Sequence, residues 1–430
     1  MKFVPVIGLE IHVQLNTKSK LFCSCSATSF GKRPNTQVCP VCLGLPGAIP
    51  APPNKEAIKK AVLAALALNC KLAEECRFER KNYFYPDLPK GYQISQYQTA
   101  VGTEGKFEGV EIRRVHLEED AAKLIHESGQ TLIDFNRAGV PLLEIVTEPD
   151  LATSSQVKAV LKELRSLLRY LKVSDADMEK GSMRLEANIS LRKERAGLPA
   201  YKVELKNINS FNFLVRALEK EIARQQILLQ MGRKIVQETR GYSEKTGETF
   251  SQRRKEEVAD YRYFPEPDLP PLTAKILTYR EKFILPGVQR QRLEKNYHLP
   301  LQYIETLMAN PELADLFEET VKAAAELTPK EIANVIVNRR LGDPKKLGVE
   351  GLAQALKMSK EKVQLPEVEV AQYIEKIILD NPKAVSDYKA GKEVAFHFLL
   401  GALMRVAKGK IDPSKAKNLL GKRLKELADD

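Results

Sequence analysis

The chain has no tryptophan, and only six cysteines and five histidines among 430 residues. No run of eighteen or more apolar residues occurs, which argues against a membrane-spanning helix. Six cysteines are too few for a disulfide scaffold in so long a chain, and in a reducing compartment clustered cysteines are more often metal ligands. No export signal is legible. The opening MKFVPVIGLEIHVQL alternates polar and apolar residues and places Glu10 and His12 where a signal core would be apolar. A soluble cytoplasmic protein without membrane contact is the expectation. The phosphate loop G-x-x-x-x-G-K-[ST], the dinucleotide fingerprint G-x-G-x-x-G and the H-E-x-x-H metal motif are all missing. So are the G-x-S-x-G elbow and any Ser-rich glycine segment suited to amide hydrolysis. A nucleotide handled by this chain would therefore need carboxylate-held metal for most of its phosphate contacts.

What is present begins with charge. Lys and Arg number 68 against 56 Asp and Glu, a net +12, which suits a polyanionic partner, nucleic acid first, or a basic surface serving only solubility. The 43% apolar content is ample for packing, and the length calls for two or three domains.

Four of the six cysteines fall in LFCSCSATSFGKRPNTQVCPVCLGLPG, as C-x-C and C-x-x-C. Cys23, Cys25, Cys39 and Cys42 can converge on one tetrahedral ion, with Pro40 and Gly44 shaping the second knuckle. Four thiolates would close the coordination sphere, which marks a structural zinc site rather than a catalytic one; four free thiols are the alternative. Cys70 and Cys76 read as core residues.

Helices are expected at 54–69, at 154–172 with Ser residues capping its start, and at 211–231. Strands and loops fill 80–150, further strands lie at 183–192 and 200–206, and 239–260 reads as a polar loop. The Pro-rich DYRYFPEPDLPPL cannot continue a sheet centre, and from about 290 onward the pattern is helical. Several strands have a single apolar face: Leu9, Ile11, Val13 and Leu15 lie opposite Glu10, His12 and Gln14. Likewise Leu185, Ala187, Ile189 and Leu191 lie opposite Arg184, Glu186, Asn188 and Ser190. Val203 and Leu205 oppose Lys202, Glu204 and Lys206, and Glu144 and Glu148 share one side of their strand. This period of two predicts a half-covered, mostly antiparallel sheet. Its polar face is either solvated or a site. In VHLEEDAAK, Glu118, Glu119 and Asp120 repel one another unless solvated or bridged by cations, for which Mg²⁺ is suited, or they open a helix, where acids are favoured.

These residues carry a resemblance. IGLEIHVQLNTKSKLFC, PVCLGLPG, RKNYFYPDLPKGYQISQYQ, HLEEDAAK, FNRAGVPLLEIVTEPD, MEKGSMRLEANISL, VELKNINSF and DYRYFPEPDLPPL, in this order over residues 3–290, resemble the B subunits of tRNA-dependent amidotransferases. The tail, with DNPKAVSDYKAGK and FLLGALMRVAKGKIDP, is a looser match. The resemblance implies an α+β fold: a catalytic domain over 1–290 on the antiparallel sheet, with the zinc knuckle at 23–42. A helical domain over 291–360 and a helical tRNA-binding tail over 361–430 follow.

It also implies a reaction. ATP and Mg²⁺ are used to phosphorylate the side-chain carboxylate of misacylated Glu-tRNA(Gln) or Asp-tRNA(Asn), and ammonia then displaces phosphate. An amidase-type A subunit supplies the ammonia from glutamine, and a small C subunit completes a heterotrimer. Matching the family's acidic metal site makes Glu10, His12 and Glu119 the Mg²⁺ ligands, with Glu118 and Asp120 adjacent. Glu186 and Lys206 join Glu10, His12 and Glu119 as catalytic residues. Lys81, Tyr83, Asn136, Arg137, Glu144, Glu148, Arg184 and Glu204 line the cleft, where Arg184, Lys206 or Arg137 would contact phosphate. Two departures stand out: Ala122 where the family usually has Gly, and a stretch at 341–366 shorter than the family's connection. The contending reading is a zinc-ribbon RNA-binding scaffold without catalysis. In the last stretch, residues 401–427 carry eight basic residues against two acids, on helices expected to break at Gly409 and Pro413.

Overall fold

A computed structural model describes residues 3–254, 260–277, 286–360, 366–407 and 411–429. Contacts divide the chain into two compact units, Met1–Arg290 and Gln291–Asp430.

The first unit is built on a nine-stranded sheet. Across it run Glu248–Arg254, Glu238–Ser243, Val203–Ile208, Met183–Lys193, Phe3–Gln14, Pro141–Thr147, Val110–Glu119, Gly102–Phe107 and Lys71–Leu72. Every neighbouring pair is antiparallel except Val203–Ile208 with Glu238–Ser243, which are parallel. The exception follows from the helix Phe211–Gln230 between them, since a parallel pair needs a long crossover. The sheet is therefore mostly antiparallel, and one face is apolar: Leu9, Ile11, Val13, Leu185, Ala187 and Ile189 are all 2% exposed or less. The helices Lys55–Ala67, Ser154–Tyr170 and Phe211–Gln230 contribute to the same core. The cap of the second is Thr153, not Ser154. Thr153 accepts from the Gln156 amide and Gln156 reaches back, a capping box that satisfies two backbone donors at once. Leu161 at the centre of that helix is fully buried, and its truncation to Ala would cost about 2–5 kcal/mol.

The stretch 239–260 corrects the sequence reading. Residues 238–254 form a hairpin, Ser243 opposite Glu248, turning through Gly247 at φ +66°. Its strands look like loop because both are polar, although only the outer one, Glu248–Arg254, is the edge of the sheet. Residues 255–259 lie outside the described residues. The Pro-rich segment supplies a two-residue strand, Phe264–Pro265, at the rim of a separate three-stranded sheet with Glu79–Asn82 and Tyr92–Ser95, and its last residue begins another, Leu272–Thr273, paired with Glu75–Cys76.

The second unit is helical and holds two apolar clusters. One gathers Leu293, Leu307, Phe317, Ile332 and Leu352; the other gathers Val370, Ile374, Leu399, Leu403, Leu420 and Leu424. Pro opens Pro311–Ala323, Pro329–Asn338, Pro344–Lys360, Pro382–Lys389 and Pro413–Asp429, where its missing amide costs nothing. The expected break at Pro413 is such a helix start; Gly409 lies outside the described residues. Among the described residues, no helix is long and apolar enough to cross a membrane.

Candidate functional site

The four cysteines of the knuckle converge, their sulfur atoms all within 4.8 Å of one another. Cys39 and Cys42 Sγ lie 3.8 Å apart, which matches the ~3.8 Å expected between two sulfurs of a tetrahedron with metal–sulfur bonds of about 2.3 Å. Gly44 takes φ +63°, and a Cβ there would come within 2.4 Å of Lys90 Cγ. A hydrogen bond from Cys23, aided by the charge of Lys20, holds the Cys42 thiol down at about 4; the same bond raises Cys23, and burial lifts Cys25 to about 11. Lys20 itself is buried and donates to Cys42 Sγ (3.4 Å) and the Phe135 carbonyl (3.4 Å). A low-pKa thiolate among three further sulfurs is a donor set that fits zinc.

Asn136 belongs to this knuckle. Its amide donates to the Arg33 carbonyl (2.8 Å) and accepts from the Gln37 amide (2.7 Å), fastening the loop between the two cysteine pairs.

The acidic residues sort by strand alternation. Val110–Glu119 remains a strand through Glu119, so Glu118 and its neighbours do not open a helix. Glu118 faces the polar side with His116. Glu119 faces the knuckle, where Lys90 and the Ile94 amide bind its carboxylate and Cys23 and Cys42 line the same cavity. The structure thus joins Glu118, not Glu119, to His12. Strand register forms one row across the sheet, Arg184, His12, Glu144 and His116. His12 Nε2 lies 3.4 Å from Glu144 and 3.7 Å from Glu118; His116 Nε2 lies 3.2 Å from Glu144.

Beside this group, Glu10, Glu186 and Glu204 form a second one, each offering an oxygen within 4.8 Å of the others. Lys206 lies 2.9 Å from Glu186 and 3.4 Å from Glu204, Asn188 donates to Glu10 (2.8 Å), and Thr239 donates to Glu204 (2.9 Å). Asp120 is bound by Arg184 (2.7 Å) and Gln14 (2.9 Å), with Arg137 Nε 3.7 Å away. Arg137 spends its guanidinium on the Ala121 and Ala122 carbonyls (2.9 and 2.7 Å). Ala122 is not among the residues at positive φ, so nothing there requires Gly. Glu148 lies beyond a bulge at Val146 and Thr147 and pairs bidentately with Arg113 (2.9 and 2.6 Å) at a more open position. Lys81 sits 5.1 Å from the Tyr261 ring and 5.7 Å from the Tyr83 ring, and its pKa rises because Glu118 and Glu144 outweigh its burial.

Electrostatics follow from this crowding. Burial works to lower His12, but its hydrogen bond to Glu144 and the charges of Glu144, Glu118 and Glu186 lift it to about 9. Burial raises Glu186, whereas the two imidazoles overcome burial at Glu144 and hold it well below the ordinary range. His116 Nδ1 and Asn188 Oδ1 are buried and find no hydrogen-bond partner among the described residues. Two oxygen-rich groups, one with an imidazole, could hold hard divalent cations such as Mg²⁺. Lys206 and a protonated His12 supply positive charge at the same places.

Sequence reading missed His116, Lys90 and Arg113. His116 was legible: in VHLEED it stands two residues before Glu118, hence on the same face. The others depend on tertiary pairing.

A family model described as the GatB/GatE catalytic domain matches residues 5–278, and one described as the GatB domain matches residues 350–424. The chain is similar to the B subunit of the aspartyl/glutamyl-tRNA(Asn/Gln) amidotransferase of Thermotoga neapolitana, at 43% identity over 482 aligned positions covering 99% of each protein. The corresponding B subunits of Persephonella marina (42% over 477) and Carboxydothermus hydrogenoformans (40% over 483) align over 99% of this chain and 100% of their own length. These aligned lengths exceed 430, so the relatives carry segments this chain lacks. On this identity, over nearly its whole length, the chain belongs to the family of aspartyl/glutamyl-tRNA(Asn/Gln) amidotransferase B subunits.

Proposed function

We propose that this chain amidates the side chain of misacylated Glu-tRNA(Gln), Asp-tRNA(Asn) or both, within an assembly containing a glutaminase A subunit and a small C subunit. A carboxylate resists ammonia because oxide or hydroxide leaves poorly. The substrate carboxylate oxygen attacks the γ-phosphorus of ATP, ADP departs, and ammonia then displaces phosphate from the acyl carbon. The observation that carries this reading is the pairing of two carboxylate groups, His12–Glu118–Glu144 and Glu10–Glu186–Glu204, on one face of one sheet. Bound there, Mg²⁺ would supply charge neutralisation for the transferring phosphoryl group. Lys206 offers a point charge to the phosphates, while Arg184 and Asp120 fix the end of the His12 row. His116 holds Glu144 in place from the opposite side. The cysteine knuckle, holding zinc, acts as a staple for the loop at 23–42. The tail from 361 onward supplies contacts to the tRNA body, with Arg423 and Lys415 already engaged by Glu375 and Glu367.

A scaffold that only bound RNA would have no use for seven buried or half-buried acids and imidazoles in register. The test is ADP formation by the assembled complex in the presence of misacylated tRNA. His12→Ala should abolish it while glutamine hydrolysis continues; a variant that still formed ADP and amide at the normal rate would overturn the assignment.

A further inference from the structure

Two substrates of the proposed reaction carry adenine: ATP, and the charged tRNA through its 3′-terminal adenosine. No phosphate loop or dinucleotide fingerprint is present to seat a nucleotide. A cluster of tyrosines beside the carboxylate groups has no role in the chemistry described above.

Tyr97 and Tyr263 are stacked, ring centroids 4.3 Å apart and planes 12° from parallel. The edge of Tyr261 meets Tyr263 at 6.1 Å, and Tyr83 meets Tyr261 at 5.7 Å. Arg114 lies 5.2 Å from the centre of the Tyr97 ring and 4.0 Å from Glu144, so the stack adjoins the His12 row directly. Burial, together with the charges of Glu118 and Glu144, raises the Tyr263 hydroxyl, placing that ring within reach of the same field.

The supports of this stack are rigid. Buried Glu79 accepts from the backbone amides of Tyr97 (2.7 Å) and Gln98 (2.8 Å), fixing the turn that carries the first ring. Asn82 donates its backbone amide to the Tyr261 carbonyl (2.9 Å) and its side chain to the Arg262 carbonyl (2.8 Å), fixing the segment that carries the second. Arg80 and buried Glu266 add a bidentate pair (2.7 and 2.7 Å) just beyond it. Yet Tyr97 is 50% exposed. Anchors on both segments hold a flat aromatic surface that the core does not use.

Aromatic rings presented this way bind bases through their π faces, and a neighbouring guanidinium adds a cation–π contribution. We propose that the Tyr97–Tyr263 pair is the platform on which an adenine of the substrate stacks, extending the existing pair by one ring. This rests on the functional reading above, and two sources of the base share the chemistry: the nucleotide and the 3′ end of the tRNA.

The chain lacks tryptophan, so Tyr97→Trp creates a single indole reporter in the purified full-length protein. Stacking of a base quenches its emission. Quenching by ATP assigns the platform to the nucleotide. Quenching by misacylated tRNA, abolished when the 3′-terminal adenosine is removed, assigns it to the RNA. In the assembled complex, Tyr97→Ala should raise KM for that same substrate about 5- to 150-fold, the range that loss of one base–aromatic stack carries, and leave kcat less affected. Tyr97→Phe should restore KM, because the ring and not the hydroxyl is used. Absence of quenching by either ligand, an unchanged KM in Tyr97→Ala, or a Phe variant as defective as Ala would each overturn the platform. Failure of the amidation reading would show separately, as an unsubstituted complex that forms no amide, while the quench reports base binding in either case.

Discussion

Replacing Glu144 by Gln keeps the side chain's shape and removes its charge from between two imidazoles. His12 is lifted from 6.5 to about 9 in the folded protein, with Glu144 its strongest favourable partner. A rise of that size corresponds to about 3 kcal/mol of preference for the imidazolium. The sign follows from linkage: a folded-state pKa above the unfolded value stabilises fully below pH 6.5, and the contribution is lost as pH rises through about 9. In metal-free protein, Glu144→Gln should therefore lower the His12 midpoint from about 9 and reduce stability by up to about 3 kcal/mol in the acidic part of that window, less whatever Glu118 and Glu186 go on supplying. The difference from the unsubstituted protein should shrink as pH approaches and passes 9. With five histidines in the chain, ¹³C-labelled imidazole spectra in chelator can follow each one individually. The same field that holds the proton on His12 would attract a divalent cation, so Mg²⁺ should release a proton at neutral pH and lose affinity as pH falls. A His12 midpoint that did not move in Glu144→Gln would refute this account of the row.

Other outcomes follow from the same structure. Metal analysis of the purified protein should find one zinc per chain, and Cys39→Ser should lose it; well-folded protein without stoichiometric metal would remove the staple. Glu10→Ala should prevent acyl-phosphate formation, raising that barrier by several kcal/mol, while the assembled complex goes on hydrolysing glutamine. Deleting the tail, residues 361–430, should raise KM for misacylated tRNA and flatten its dependence on salt, since phosphate contacts release counterions. An unchanged salt slope would reassign the tail to folding or intersubunit contacts.

The sheet and its polar face were legible because alternation by two is a local property of sequence: Glu10 and His12, or Arg184 and Glu186, share a side wherever the strand goes. The same rule, applied to HLEED, puts Glu118 and Glu119 on opposite faces, although both stand inside one acidic motif. Which strands lie side by side is a nonlocal property. That His12 meets Glu144 from one neighbour and Arg184 from the other, and that Asn136 serves the knuckle, could not be read from spacing. The hairpin at 238–254 looks like loop in sequence because both strands are polar, and the inner one is held by pairing on both sides rather than by an apolar face.

The strand Val110–Glu119 has a further consequence. Its last two residues are walls of different rooms: Glu118 belongs to the His12 row, and Glu119, through Lys90, to the cavity lined by Cys23 and Cys42. A slip of one residue in pairing with Pro141–Thr147 would exchange them, sending Leu117 and Glu119 to the polar face and His116 and Glu118 into the apolar one. Insertions or deletions within RRVHLEED should thus be far more damaging than any single substitution there. By the same connection, stripping the proposed zinc from the cysteines should disturb the strand that carries Glu118, and a chelator selective for zinc over Mg²⁺ should slow the proposed amidation.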